Sequence, residues 1–204
     1  MQVAWEDSRR AFADAAAWFT RTTTFVGQRW NLPALGEWDV RALVGHTSRS
    51  LLTVEEYLNL PAARVDLATA ADYYRAVREL ARAPGVALRG REAGAALGDA
   101  PATAVEHLAT RVVQVLDGCD GSQLVTTIVG GMRLDAYLPT RTFELAVHTA
   151  DLAAALGLPA DIPATAAWQA LELVAELAIG DGLAGPLLLA ATGRRALPPG
   201  FSVL

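Results

Sequence analysis

The sequence predicts a mostly α-helical fold: a bundle of four main helices, a β-hairpin set before the last of them, and a short helical extension at the C-terminal end. Three observations carry this. Apolar residues recur at mixed three- and four-residue spacings along most of the 204 residues, the signature of helices with one buried face. Pro, Gly and Asn interrupt those stretches at intervals that suit helix ends. One segment alone is rich in β-branched residues and carries a Gly-Gly pair at its middle.

The first helix is expected over 4–29, where Phe12, Ala16, Phe19 and Val26 share a face; Asn31, Pro33 and Gly36 then break the pattern. Asp39 suits an N-cap for a second helix from Val40 to about Leu58, because its carboxylate can accept from an amide of the first turn, and Pro61 stops that helix. A third helix is expected from about Ala68 to Arg82, stopped by Pro84-Gly85. The Gly-rich stretch 86–100 reads as a loop with a short helical piece. Asp99-Ala100-Pro101 opens a fourth helix with Val105, Leu108, Val112, Val115 and Leu116 inside, ended by Gly118. Leu124–Val129 and Met132–Leu138 read as two strands around a Gly130-Gly131 turn. Pro139 and Thr140 open a fifth helix reaching Leu156 with Gly157 behind it; Pro163 opens a sixth to about Ile179, and a short seventh covers 184–192. We divide the chain into a bundle over 1–158 and a helical extension over 159–204 packed on it as one structural unit.

Composition narrows the function. The formal net charge of −5 and pI near 5.2 argue against a nucleic-acid partner, which needs a cationic footprint. All 17 basic residues are Arg, which excludes Schiff-base lysine chemistry and a P-loop lysine. Cys119 is the only cysteine, so no internal disulfide forms, in keeping with a reducing compartment; we expect it to behave as a small apolar side chain. Residues 1–10 are polar, unlike a signal peptide, and no apolar run reaches the ~18 residues of a membrane span. The expectation is a cytoplasmic protein without a membrane or nucleic-acid partner.

The stretch Arg141-Thr-Phe-Glu-Leu-Ala-Val-His-Thr-Ala-Asp151 carries the chemistry. At about 100° per residue, with Arg141 at zero, Glu144 falls near about 300°, His148 near about 340° and Asp151 near about 280°. Four polar groups share one face of a helix that is otherwise apolar, and an apolar helix is a buried one. Burying a carboxylate and an imidazole together is costly unless they pair or hold a cation. Glu144 and His148, four residues apart, can reach one ion, though the same spacing also serves a surface ion pair. Two ligands do not make a tight site. His107 lies with Thr103, Arg111 and Gln114 on the polar side of its helix, whereas His46 lies at the margin of the apolar stripe of the second helix, so His46 is the third candidate ligand. Trp30, Trp38, Tyr73 and Tyr74 line either a pocket or the core.

Trp38-Asp-Val-Arg-Ala-Leu-Val-Gly-His46 resembles a segment of the mycothiol-dependent maleylpyruvate isomerase N-terminal domain family, within the DinB-like superfamily. Gly130-Gly-Met-Arg-Leu-Asp-Ala-Tyr-Leu, the Arg141–Leu152 stretch and the tail from Leu187 resemble other parts of its members. The resemblance implies a DinB-like four-helix bundle and a divalent metal, zinc in the usual case and nickel as the other candidate, held by His46, Glu144 and His148. It implies mycothiol as co-substrate and a small electrophile as the second partner, in a thiol S-transfer or isomerisation, with a homodimer as a further possibility. The isomerase proper carries an additional α/β domain, and the residues after the bundle here are too few for it, which speaks against maleylpyruvate itself. With three protein ligands, a fourth position stays open for a thiol, which the ion deprotonates to the nucleophile. Asp151 is then expected to orient a ligand, and Arg141 to pair with Asp151 or with a substrate carboxylate. A non-catalytic metal or small-molecule binding protein of the same fold is the alternative, as is a helical interaction protein with a vestigial site.

Overall fold

A computed structural model describes residues 4–81 and 85–204. The elements in order are α1 (Trp5–Thr24), β1 (Pro33–Leu35), β2 (Trp38–Asp39), α2 (Val40–Leu58), α3 (Ala70–Ala81), α4 (Val86–Ala96), α5 (Pro101–Asp117), β3 (Leu124–Thr127), β4 (Gly130–Arg133), α6 (Leu134–Leu156), α7 (Ala164–Gly180) and α8 (Ala184–Ala191). The fold is mostly α, as the periodicity predicts. The third helix ends at Ala81 among the described residues; the stop expected at Arg82 and Pro84 lies outside them.

Four helices make the bundle. α1 packs against α6 and α5, and α2 packs against the same two, so α1 faces α2 and α5 faces α6 across a shared interior. That interior is filled by Phe12 and Phe19 of α1, Leu43 and Leu51 of α2, Leu116 of α5, and Leu145 and Leu152 of α6, all fully enclosed. Each contributes about 1.5–3 kcal/mol by leaving water. The Asp39 carboxylate accepts from the Ala42 amide at 2.8 Å and starts α2 where the sequence places its cap. Gly157, at φ 69°, closes α6 in the left-handed conformation that suits glycine at a helix end.

Three elements depart from the sequence expectation, and each departure has a packing cause. Residues 86–96 form a full helix, α4, rather than a loop, because its glycines serve close helix contact. A side chain at Gly45 of α2 would collide with the backbone at Gly94, and one at Gly90 would come within 2.7 Å of the Trp38 indole. Arg41 of α2 fastens the pair by donating from Nε to Gly94 O at 2.9 Å. In the hairpin, the turn is Ile128-Val129, and Gly130-Gly131 open β4 instead of forming the turn. Those glycines admit the segment 61–67: Asp66 N donates to Gly131 O at 2.8 Å, and a Cβ at Gly131 would run into Arg64 O. Third, α6 begins at Leu134, so Pro139 lies inside the helix rather than opening it. Burial of Leu134, Tyr137 and Leu138 outweighs the backbone hydrogen bond that proline cannot donate. At smaller scale, α1 ends at Thr24, short of the expected 29; Val115 of α5 is exposed; and the short β1–β2 pair was not expected.

α7 is fastened to α1 by two buried or half-buried polar contacts, Gln169 Nε2 to Ser8 Oγ at 3.0 Å and Thr165 Oγ1 to Asp14 Oδ2 at 2.6 Å. α3 lies against α6 and α7. It carries Tyr73 and Tyr74 over the middle of α6, while α4 holds Trp38 against α2. No helix among the described residues is long and apolar enough to cross a membrane.

Candidate metal centre

Helical periodicity lays one face of α2 (His46, Arg49, Ser50, Thr53, Tyr57) opposite one face of α6 (Arg141, Glu144, His148), with a cavity of about 500 Å³ between them. Tyr73, Tyr74 and Val77 of α3, with Trp38, Ile128 and Leu204, add to its lining, and the cavity is partly open to solvent. Among its lining residues His46, Glu144 and His148 each offer a donor atom, and the three atoms lie within 4.8 Å of one another. The His46 and His148 rings meet edge to face at 4.8 Å between centroids. His107 is exposed on α5 and takes no part.

The two α6 groups touch directly. His148 Nε2 lies 3.2 Å from Glu144 Oε2, and His148 Nδ1 lies 3.1 Å from Asp151 Oδ2. Burial pushes the His148 imidazole toward the neutral form, but the Asp151 and Glu144 carboxylates outweigh it and hold its pKa up at about 9. Burial likewise pushes the Glu144 carboxyl up, and the contact with His148, the Arg141 charge and the Tyr74 phenol bring it down to about 2. His46 behaves in the opposite sense: burial first, and the positive His148 second, lower it to about 4. At neutral pH the site therefore holds one neutral imidazole, one carboxylate and one imidazolium, with the proton of His148 supplying the positive charge between the donors.

Two contacts that spacing alone did not single out fix these donors. The Tyr74 phenol, held protonated by burial, donates to Glu144 Oε1 at 2.6 Å. The Trp38 ring stacks at 4.4 Å from the His46 ring, with its indole N–H donating to Ala87 O at 3.0 Å. Both residues stood among the four aromatics that the sequence left between pocket and core. The available signal was the Trp38 position at the start of the His46 segment; nothing local links Tyr74 to Glu144.

The residues fit a resident cation by their donor chemistry. His46 Nδ1 is buried and has no hydrogen-bond partner among the described residues, which is costly for an imidazole unless something else occupies it. A neutral imidazole, a carboxylate and a second imidazole oriented by Asp151 through its far nitrogen are the donor set that zinc-like divalent ions take. Arg141 does not pair with Asp151. Its guanidinium donates from Nε to Thr140 Oγ1 at 2.9 Å and lies over the Tyr73 and Tyr137 rings at 5.3 and 5.1 Å.

The family described as Mycothiol maleylpyruvate isomerase N-terminal domain matches residues 4–153, a stretch that ends inside α6 after His148 and Asp151. No curated protein and no solved structure matches the chain. Because the matched stretch takes in most of the sequence, the chain belongs to the mycothiol maleylpyruvate isomerase N-terminal domain family.

Proposed function

We propose that this protein is a metal-dependent thiol S-transferase or isomerase that joins a low-molecular-weight thiol of the mycothiol type to a small electrophile. The observation that supports it is the convergence of His46, Glu144 and His148 in the lining of a cavity large enough for a second molecule, with His46 Nδ1 buried and unpartnered among the described residues. These three residues would hold a divalent ion, zinc or nickel. When bound, such an ion supplies the charge that favours the thiolate of an entering thiol over its protonated form.

The chain's own residues do the rest. Tyr74 and Asp151 hold Glu144 and His148 in fixed orientations, so little reorganisation is needed on loading. Trp38 covers His46 and keeps water from that side. The cavity walls position the electrophilic carbon against the sulfur, where proximity supplies part of the rate. In transfer, the thiol adds across a double bond of the electrophile, its sulfur to one carbon and its proton to the other, and the new carbon–sulfur bond is kept. In isomerisation, the thiol adds across a double bond, the resulting single bond rotates, and elimination returns the thiol and the isomerised alkene.

The test is turnover of mycothiol with a set of model electrophiles by zinc-loaded, nickel-loaded and chelated protein. Metal-dependent thiol consumption supports the proposal. Stoichiometric metal retention without turnover against any electrophile refutes the enzymatic reading and leaves a binding protein of the same fold.

A further inference from the structure

Adding a thiol across a double bond leaves one carbon in need of a proton. His46, Glu144 and His148 must be free of theirs to hold an ion, so the proton comes from another residue that lines the cavity. The cavity's arginines never release theirs. Its serine and threonine hydroxyls and the Trp38 indole are too weakly acidic to serve. Three lining phenols remain, Tyr57, Tyr73 and Tyr74, and the Tyr74 hydroxyl is committed to Glu144 at 2.6 Å.

Placement separates the other two. Tyr57 stands eleven residues beyond His46 on α2, about 16.5 Å along the helix axis. Burial raises its pKa above the usual tyrosine value, which makes it a poorer acid. Tyr73 is tied to the donors by short contacts. Its ring meets that of Tyr74, whose hydroxyl reaches Glu144, edge to face at 5.7 Å between centroids. The Arg141 guanidinium, one turn from Glu144 on α6, lies over the Tyr73 ring at 5.3 Å, and the Tyr137 ring packs on it at 5.9 Å. Tyr73 is only 5% exposed, yet its hydroxyl has no hydrogen-bond partner among the described residues and is not enclosed by them, so it opens into the cavity that Tyr73 lines. A buried tyrosine hydroxyl usually has a partner, and the cation beside this one favours the phenolate left behind when its proton departs.

We propose that Tyr73 is the general acid of the addition. As the sulfur bonds to one carbon of the electrophile's double bond, the electron pair of that bond moves to the other carbon, and the Tyr73 hydroxyl delivers its proton there. Solvent returns a proton to the phenolate. The thiol's own proton leaves to solvent when its sulfur becomes the nucleophile, so one thiol and one alkene give one thioether. The inference rests on the transferase reading of this cavity.

Addition of mycothiol to cyclohexenone in heavy water, catalysed by zinc-loaded protein and corrected for the uncatalysed reaction, tests it. A fixed phenol labels one face of the ring carbon beside the carbonyl, whereas solvent labels both; NMR of the product tells them apart. Wild type is expected to label one face. Tyr73→Phe is expected to keep the wild-type thermal midpoint and zinc content, because the hydroxyl it removes bonds nothing among the described residues. Its kcat should fall about 100-fold or more with KM little changed, and its residual product should be labelled on both faces. Two-face labelling by wild type, wild-type kcat and one-face labelling in Tyr73→Phe, or a loss confined to Tyr57→Phe each overturns the assignment and leaves the transferase reading standing. Wild type that leaves cyclohexenone unreacted overturns it as well, and if no other electrophile consumes mycothiol the transferase reading falls with it. If Tyr73→Phe does not fold, wild type and Tyr57→Phe decide: one-face labelling by both supports the assignment, and two-face labelling by either overturns it.

Discussion

The Tyr74 hydroxyl donates to Glu144 Oε1 across 2.6 Å, and this bond ties α3 to the helix that carries two of the three candidate ligands. It leaves Oε2 of Glu144 directed at His148. A ligand carboxylate anchored through its other oxygen is oriented before any ion arrives, which lowers the entropic cost of binding.

Tyr74→Phe removes that anchor while keeping the ring, which packs on Phe143 at 5.2 Å between centroids. We predict that zinc affinity, measured by competition with a chromogenic chelator, falls about tenfold or more. The stability of the metal-free chain should drop by about 1 kcal/mol, the usual worth of one hydrogen bond. Unchanged zinc affinity would show that Tyr74 does not position Glu144.

Asp151→Asn acts on the other ligand. It keeps the side-chain shape but removes the charge that raises His148 and fixes which ring nitrogen faces Glu144. Zinc affinity is predicted to fall about 10–100-fold, and the His148 titration followed by NMR in metal-free protein to move down from about 9. A titration that stays in place would contradict the role given to Asp151.

The pH dependence has a definite sign. His148 titrates at 6.5 when unperturbed and at about 9 in the folded, metal-free chain. A group raised on folding contributes its full stabilisation below the unfolded value and loses it as pH rises through the folded one. Thermal midpoints of the metal-free protein should therefore decline between about pH 6.5 and pH 9. Zinc must displace the same proton, so its affinity should climb about tenfold per pH unit over that range. Calorimetric melts and zinc titrations at four pH values check both slopes; flat profiles would mean that His148 is neutral in the metal-free chain.

Gly45→Ala tests the helix contact that holds the Trp38 wall. The added methyl collides with the backbone at Gly94, which cannot yield without moving α4. Overpacking of this kind costs about 1–3 kcal/mol, and thermal unfolding followed by circular dichroism should register it. A variant as stable as wild type would show that α4 is held loosely against α2.

These residues also show what a single sequence reveals. The shared face of Glu144 and His148, and the choice of His46 over His107, follow from helical rotation and from the apolar residues around each, which are local properties. Asp39 as the cap of α2 and Gly157 as the end of α6 are likewise fixed by chemistry within a few residues. The misreadings share one cause. Gly90 and Gly94 in α4, and Gly130 and Gly131 in the hairpin, look like flexible punctuation but serve close approach by segments distant in sequence. Pro139 looks like a helix start because the burial that carries α6 through it depends on tertiary packing. The Tyr74–Glu144 bond spans 70 positions and leaves no periodic trace.

The central claim is that His46, Glu144 and His148 hold one divalent ion together. Elemental analysis of protein purified without added metal, wild type beside His46→Ala, addresses it most directly. One equivalent of zinc or nickel per chain in wild type, lost in a folded His46→Ala, is the expected result. Metal-free wild type that takes up no zinc on addition, or metal content indifferent to the His46 substitution, would contradict it.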